Sequence, residues 1–254
     1  MNLTTSSSSR PAVGVVGAGR LGVPLCRALK AAGWSVDGPA GRGEVPHGEA
    51  ILLCVPDAEI PAAAEVVTGA APFVAHTSGA TGLGALAPAG VEALALHPLQ
   101  TFTGDEGPEA FAGAGCAVAG SSARALELAE KLARVLGMEP FEVDEEGRAS
   151  YHAAASVASN FLVTIEAAAE TVAAGAGLSP PRARALLAPL VARTVENWAA
   201  LGPERALTGP VARGDDATLE RQRAAVEDTA PELLELFDAL VARTRVLAGN
   251  GVTA

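Results

Sequence analysis

The segment Gly17-Ala18-Gly19-Arg20-Leu21-Gly22 constrains this chain more than any other. It directly follows the β-branched run Ala12–Val16 and opens a stretch, 21–32, in which apolar side chains recur at helical spacing until Gly33 stops them. A strand that turns through three such glycines into a helix is built for one kind of ligand. The first glycine permits the tight turn, the second lets the backbone approach a pyrophosphate, and the third lets the helix pack closely on the strand. The helix N-terminus then offers free N–H groups and the positive end of its dipole to the phosphates. Gly17, Gly19 and Gly22, with Arg20 and Leu21 between them, are therefore candidate dinucleotide contacts.

The rest of the N-terminal half continues the same alternation. Short apolar runs at 34–37, 50–55, 72–75, 92–96 and 115–119 have strand length and are separated by helical or turn-rich stretches. Ser121 reads as the N-cap of a helix reaching Leu136, and 141–143 as a last edge strand. Buried strands alternating with helices indicate βαβ units and a doubly wound, mainly parallel α/β sheet of Rossmann type. Beyond residue 147 only helical patterns remain. One spans 149–176 and a second runs from Ser179-Pro180 to about residue 200. Asp215 or Asp216 can cap a third. Residues 229–232 read as a capping box ahead of a stripe through Leu233, Leu236, Phe237, Leu240, Val241 and Leu247. The expected organisation is a disordered tail over 1–10, a Rossmann-type dinucleotide-binding domain over 11–147, and an all-α substrate and dimerisation domain over 148–254.

Composition narrows the partners. Of 254 residues, 49% are hydrophobic, which gives ample core, and the formal charge of −11 opposes a phosphate-backbone partner such as DNA or RNA. A small anionic substrate in a local pocket is compatible with that charge. Cys26, Cys54 and Cys116 form no CxxC pair and are odd in number, so they read as reduced thiols of a cytoplasmic protein. The start lacks the apolar core of a secretory signal, and no stretch of about twenty residues reads as an uninterrupted membrane span. No cluster has metal-ligand spacing, so no metal is expected, and Ser78-Gly79 lacks the GxSxG elbow of a serine hydrolase.

The choice between NAD and NADP turns on the end of the second strand. Asp37, twenty residues after Gly17, would hold the ribose 2′-hydroxyl of NAD if the strand ended at Val36. Arg42 would clamp a 2′-phosphate if the strand ran to Pro39, and this reading, NADP, is favoured, with NAD as the alternative. Ligands of open α/β sheets bind beyond the strands' carboxyl ends. Three segments lie at such ends: Val55-Pro56-Asp57, His76-Thr77-Ser78, and His97-Pro98-Leu99-Gln100. Val55 and Pro56 are placed near the cofactor, Ser78 near cofactor or substrate, and Gln100 near substrate; each His is equally readable as a structural brace. His47 reads as a solvated loop residue. His152, Ser156 and Asn160 are spaced by four, which puts them on one face of a helix otherwise lined by Ala and Val. Arg213, in Leu207-Thr-Gly-Pro-Val-Ala-Arg-Gly-Asp215, is a candidate carboxylate clamp or ion-pair former.

Six segments taken together, GAGRLG (17–22), CVPD (54–57), HTSGA (76–80), ALHPLQTF (95–102), YHAAASVASN (151–160) and LTGPVARGD (207–215), resemble bacterial Rossmann-like proteins with the helical domain called DUF2520. These are relatives of 6-phosphogluconate dehydrogenase, ketopantoate reductase and pyrroline-5-carboxylate reductase. The resemblance covers nearly the whole chain after residue 10. It implies NAD(P) binding, a homodimer formed by the helical domain, and reductase activity, with ketopantoate as the favoured substrate. In the ketopantoate reductases a helix lysine followed four residues later by asparagine serves catalysis; the matching pair here is Ser156 and Asn160, without the lysine. His152 then becomes the substitute proton donor, Asn160 the donor to the substrate oxygen, and His97 and Ser78 second candidates. Two alternatives accompany this reading: an imine reductase, and a dinucleotide-sensing protein that performs no turnover.

Overall fold

The computed structural model describes residues 12–249, so the tail expected over 1–10 lies outside the described residues. The chain forms two compact units, Met1–Ser159 and Asn160–Ala254.

The first unit is built on seven strands: β1 (Ala12–Val16), β2 (Ser35–Ala40), β3 (Ala50–Leu53), β4 (Phe73–His76), β5 (Glu92–Pro98), β6 (Gly115–Gly120) and β7 (Glu139–Glu142). They lie in the order β2-β1-β3-β4-β5-β6-β7. Strands β1 to β5 are mutually parallel, β6 runs antiparallel to β5, and β7 is parallel to β6. Helices α1 (Gly22–Ala31), α2 (Ile60–Val66) and α3 (Ala123–Val135) cover the sheet, and α4 (Arg148–Ala158) ends the unit. Alternation along the strands feeds two separate cores. Val13, Val15, Leu52, Leu94 and Leu96 pack with Leu25 and Leu29 of α1 and Leu132 of α3. Ile51, Leu53 and Val74 pack with Ile60 and Ala64 of α2 on the other face. With both faces covered, the central strands read as continuous apolar runs rather than alternating ones. Each fully buried aliphatic side chain contributes about 1.5–3 kcal/mol.

The second unit is helical, with α5 (Asn160–Ala173), α6 (Pro180–Leu201), the short α7 (Pro203–Ala206) and α8 (Pro210–Arg213), α9 (Asp216–Thr229) and α10 (Leu234–Gly249). Arg184 of α6 grips Glu170 of α5 through two hydrogen bonds of 2.6 and 2.8 Å. Arg223 of α9 holds Asp238 of α10 at 3.0 Å.

Several local expectations are corrected. The cap of α3 is Ser122, whose side chain accepts from the Ala125 N–H, while Ser121 Oγ accepts from the Ala93 N–H of β5 instead. Residues 229–232 form no capping box, because Thr229 still belongs to α9 and Ala230 precedes a short 3-10 turn without a side-chain cap. Asp215 does cap α9, accepting from the Thr218 N–H at 3.1 Å. The single helix expected over 149–176 is divided at Ser159, a one-residue turn between α4 and α5 with a φ of −118° and a ψ of −71°. The strand-to-helix change falls near residue 147, but the first compact unit runs on through α4 to Ser159. By length and composition alone, Glu145–Ala176 is long and apolar enough to cross a membrane. The Ser159 turn interrupts it.

Candidate functional site

Sheet order alone marks the place where a ligand fits. From β1 the chain moves to β2 on one side and then to β3 on the other, so the loops following β1 and β3 diverge at a topological switch point. Gly17 follows β1 with a φ of 103°, a conformation that favours glycine. Its N–H donates to Ala40 O at 2.9 Å. A Cβ on Gly17 would collide with the Cys54 carbonyl, and one on Gly22 with the Gly17 carbonyl. Gly19 is different: nothing lies within 4 Å of the position its Cβ would take. Helix α1 begins beside it without a side-chain cap and without an acidic residue in its first turn, so its leading N–H groups are open to an anion.

A cleft of about 720 Å³ extends from this loop over Val55 and Pro56 to Arg42, Glu59 and the Ala63–Val66 face of α2. Strand β2 continues through Pro39 to Ala40, past the 34–37 expected. That extension carries Arg42 to the cleft. Asp37 is engaged elsewhere, its Oδ2 accepting from the His47 N–H at 2.7 Å. Arg42 pairs with Glu59 at 2.7 Å and is 85% exposed. Arg20 and Leu21 flank the loop's last turn; Arg20 is exposed and Leu21 half-buried.

A second group of side chains sits along the same edge. By register, Val16, Leu53, His76 and Ala95 lie abreast across β1, β3, β4 and β5. At about 4.8 Å per strand, His76 is about 10 Å across the sheet from the glycine loop. His76 is fully buried. Its Nδ1 accepts from the Ser78 N–H at 3.3 Å, so the proton sits on Nε2. Among the described residues, that Nε2 is the one buried side-chain nitrogen or oxygen without a hydrogen-bond partner. Burial first, and the Arg148 guanidinium second, push its pKa down to about 4; the Gly82 backbone counters this without reaching hydrogen-bond geometry.

His97, near the end of β5, shares a 2.7 Å hydrogen bond between Nδ1 and the Tyr151 hydroxyl of α4. The His97 ring lies flat on Gly79, where an added Cβ would come within 2.7 Å of Cε1. His152 stands with its ring centre 6.2 Å from that of His97, and Phe141 packs edge-on to Tyr151 at 5.8 Å. Burial, followed by the nearby His152, pushes His97 down to about 4, while burial pushes Tyr151 up to about 12. Near neutral pH His97 is therefore uncharged and Tyr151 keeps its proton. Arg148, on the first turn of α4, is only 4% exposed. It donates through Nε to Glu145 Oε2 at 3.0 Å, and Glu145 in turn lies against Gly82.

The structure thus assembles part of the expected set. Gly17, Gly19, Val55, Pro56 and Arg42 line one cleft. His97 and His152 meet at the strand ends. Ser78 is committed to a turn, its Oγ accepting from the Ala80 and Thr81 N–H groups at 3.2 and 3.0 Å. Gln100 is exposed and folds back on the Thr101 N–H and Ala110 O. The three polar positions His152, Ser156 and Asn160 are divided between two helices. His152 and Ser156 share α4, whereas Asn160 opens α5 in the second unit. Arg213 is exposed at the end of α8, also in the second unit. Sequence reasoning missed Tyr151 and Arg148 and left His76 out of the candidate set. Tyr151 is the chain's one tyrosine, directly beside His152, and that adjacency was the available signal.

The architecture is shared with solved structures. A Bacteroides fragilis protein provisionally assigned as an NADP oxidoreductase is 20% identical, with a TM-score of 0.79 over 93% of this chain and 98% of its own. Protein TM1727 of Thermotoga maritima is 24% identical, with a TM-score of 0.75 over 95% of this chain and 100% of its own. An imine reductase from a Pseudomonas species is 19% identical, with a TM-score of 0.58 over 95% of both chains. At these identities the likeness is one of fold. No curated protein matches the sequence. Residues 114–244 match the family described as Domain of unknown function (DUF2520), and, with just over half its length in that match, the chain belongs to the DUF2520 family.

Proposed function

We propose that this protein is an NADP-dependent reductase of the C=O or C=N bond of a small organic acid. The carrying observation is the open space at Gly19, before an uncapped helix at the switch point, on the same sheet edge as the His97–Tyr151 pair. NADPH, when bound, supplies a hydride to carbon. The chain's residues have the remaining work of seating the cofactor, orienting the substrate and providing a proton to the oxygen or nitrogen. Gly17, Gly19 and the N-terminus of α1 receive the pyrophosphate, and Arg42 receives the 2′-phosphate. Neutral His97 orients the Tyr151 hydroxyl, which holds its proton at neutral pH and delivers it as charge develops on the substrate. His152, beside them, is the second proton donor. Ketopantoate is favoured by the resemblance of sequence motifs, and an imine by a structural neighbour that is an imine reductase. The proposed setting is cytoplasmic.

Saturable NADPH oxidation with ketopantoate, run beside pyrroline-5-carboxylate, tests this reading and separates an alcohol product from an amine product. Cofactor binding without oxidation on either would instead mark a non-catalytic sensor. Tyr151→Phe is expected to lower turnover on the order of a hundredfold while leaving the Kd for NADPH within a factor of about two; equal losses in both would make Tyr151 structural. Arg42→Ala is expected to weaken NADPH roughly tenfold or more and to leave NADH unchanged, since only NADPH carries the 2′-phosphate. Glu59→Gln, which frees Arg42 from its ion pair, is expected to tighten NADPH. Parallel fluorescence titrations with the two cofactors read both effects, and equal responses to NADPH and NADH would return the choice to NAD.

The partner we propose is a second copy of the chain, held by the helical unit. Helix α5 buries none of its residues and α6 buries only Ala183. Phe161, Val163, Leu190 and Trp198 are each more than half exposed. Charged residues such as Arg193 and Glu196 interrupt the α6 surface. That mixture suits a protein partner and opposes a bilayer.

A further inference from the structure

Arg148 is a buried cation with an unusually incomplete set of partners. Its side chain is 5% exposed, and its one ion-pair partner, Glu145, is 69% exposed. Only Nε is bonded; among the described residues neither terminal nitrogen has an acceptor. A guanidinium carries five N–H donors, and a buried charge answered by a single carboxylate at the surface is costly. The same cluster holds the unpartnered Nε2–H of His76. The one buried unsatisfied donor, His76 Nε2–H, and the unbonded terminal nitrogens of Arg148, beside the polar pair at His97 and Tyr151, leave room for an acceptor supplied from outside. The electrostatic reach of Arg148 extends to all three neighbours, since its charge lowers the pKa of His76, His97 and Tyr151.

We propose that Arg148 and the Nε2–H of His76 form a seat for a small carboxylate, placed at the end of β4 beside the Tyr151–His97 pair. A planar carboxylate matches the two free terminal nitrogens, which lie side by side on the guanidinium fork, and its remaining lone pairs accept from His76. The ligand class is a short 2-oxo or 2-imino acid, with the reducible carbon one bond from the anchored carboxylate. The assignment moves the carboxylate clamp from the exposed Arg213 to a residue of the first unit. It rests on the reductase reading only for the identity of the acid; the seat itself is a property of the cluster.

Oxalate is the probe, titrated by calorimetry into the full chain with and without saturating NADPH. Saturable binding is expected in the wild type, with Arg148→Gln weakening it roughly tenfold to a hundredfold. The second readout needs no variant: the His76 Nε2–H resonance of the wild type should move as oxalate is added, which covers the case of a variant that fails to fold. Unchanged binding in a folded Arg148→Gln, a His76 signal indifferent to bound oxalate, or no binding of oxalate at all would each overturn the seat. Oxalate binding by a chain that does not take up NADPH would support the seat and sink the cofactor reading; NADPH binding without oxalate would sink the seat alone.

Discussion

Replacing Gly19 with valine is expected to abolish dinucleotide binding, a loss of at least about a hundredfold in affinity, while leaving the melting temperature within a few degrees of the wild type. The two halves of that result have separate causes. Nothing lies within 4 Å of the Cβ position, so the protein itself has no atom for the new side chain to strike. The space it fills is the one through which a pyrophosphate must approach the N-terminus of α1. Gly22→Val provides the contrast. Its side chain would meet the Gly17 carbonyl inside the loop, so stability and binding should fall together. Thermal melts combined with NADPH titration distinguish the two variants. Full-strength binding by Gly19→Val would remove the cofactor from this loop.

Acidification is expected to cost the first unit several kcal/mol between about pH 6.5 and pH 4, beyond what its carboxylates contribute. His76 and His97 both have folded-state pKa values near 4, against an ordinary value of 6.5. The unfolded chain therefore takes up protons at these two positions before the folded one does. Stability is full above about pH 6.5, declines as pH falls through the interval, and stops declining from this source near pH 4. Each histidine accounts for on the order of 3 kcal/mol. Denaturant melts across this range should show the slope, and a His76→Gln, His97→Gln double variant should flatten it. An unchanged slope in that variant would mean that the two rings are solvated and not buried.

The glycine loop and most of the sheet were legible because their causes are local. Three glycines between a β-branched run and a helical repeat leave few other structures open, and the strands beyond are bounded by turn residues within a few positions. The features that escaped are those settled by contacts distant in sequence. Ser121 and Ser122 are equivalent as caps until Ala93, on a neighbouring strand, takes up the first of them. Strand β2 outruns its apolar pattern because pairing with β1 continues to Ala40. The turn at Ser159 has no glycine or proline to announce it, so the helical period across 149–176 looked uniform. Tyr151 and Arg148 became visible only when α4 met the ends of β4 and β5, fifty and more residues earlier in the chain.

The reversal of direction at β6 has a further implication for how such a protein can change over generations. Because β1, β3, β4 and β5 all point one way, the glycine loop and the residues proposed for cofactor and substrate gather at one rim of the sheet, while the return turns around Gly69, Gly90 and Ser121 gather at the other. Gly69 and Gly90 have open space around them. Insertions, fused tags or a new pair of termini placed at this second rim would be borne by the scaffold, leaving the chemistry untouched. Altered substrate preference, by contrast, has to be written into the short loops after β4 and β5. The two kinds of variation can therefore accumulate independently, which suits a fold that keeps one cofactor while its substrates diverge.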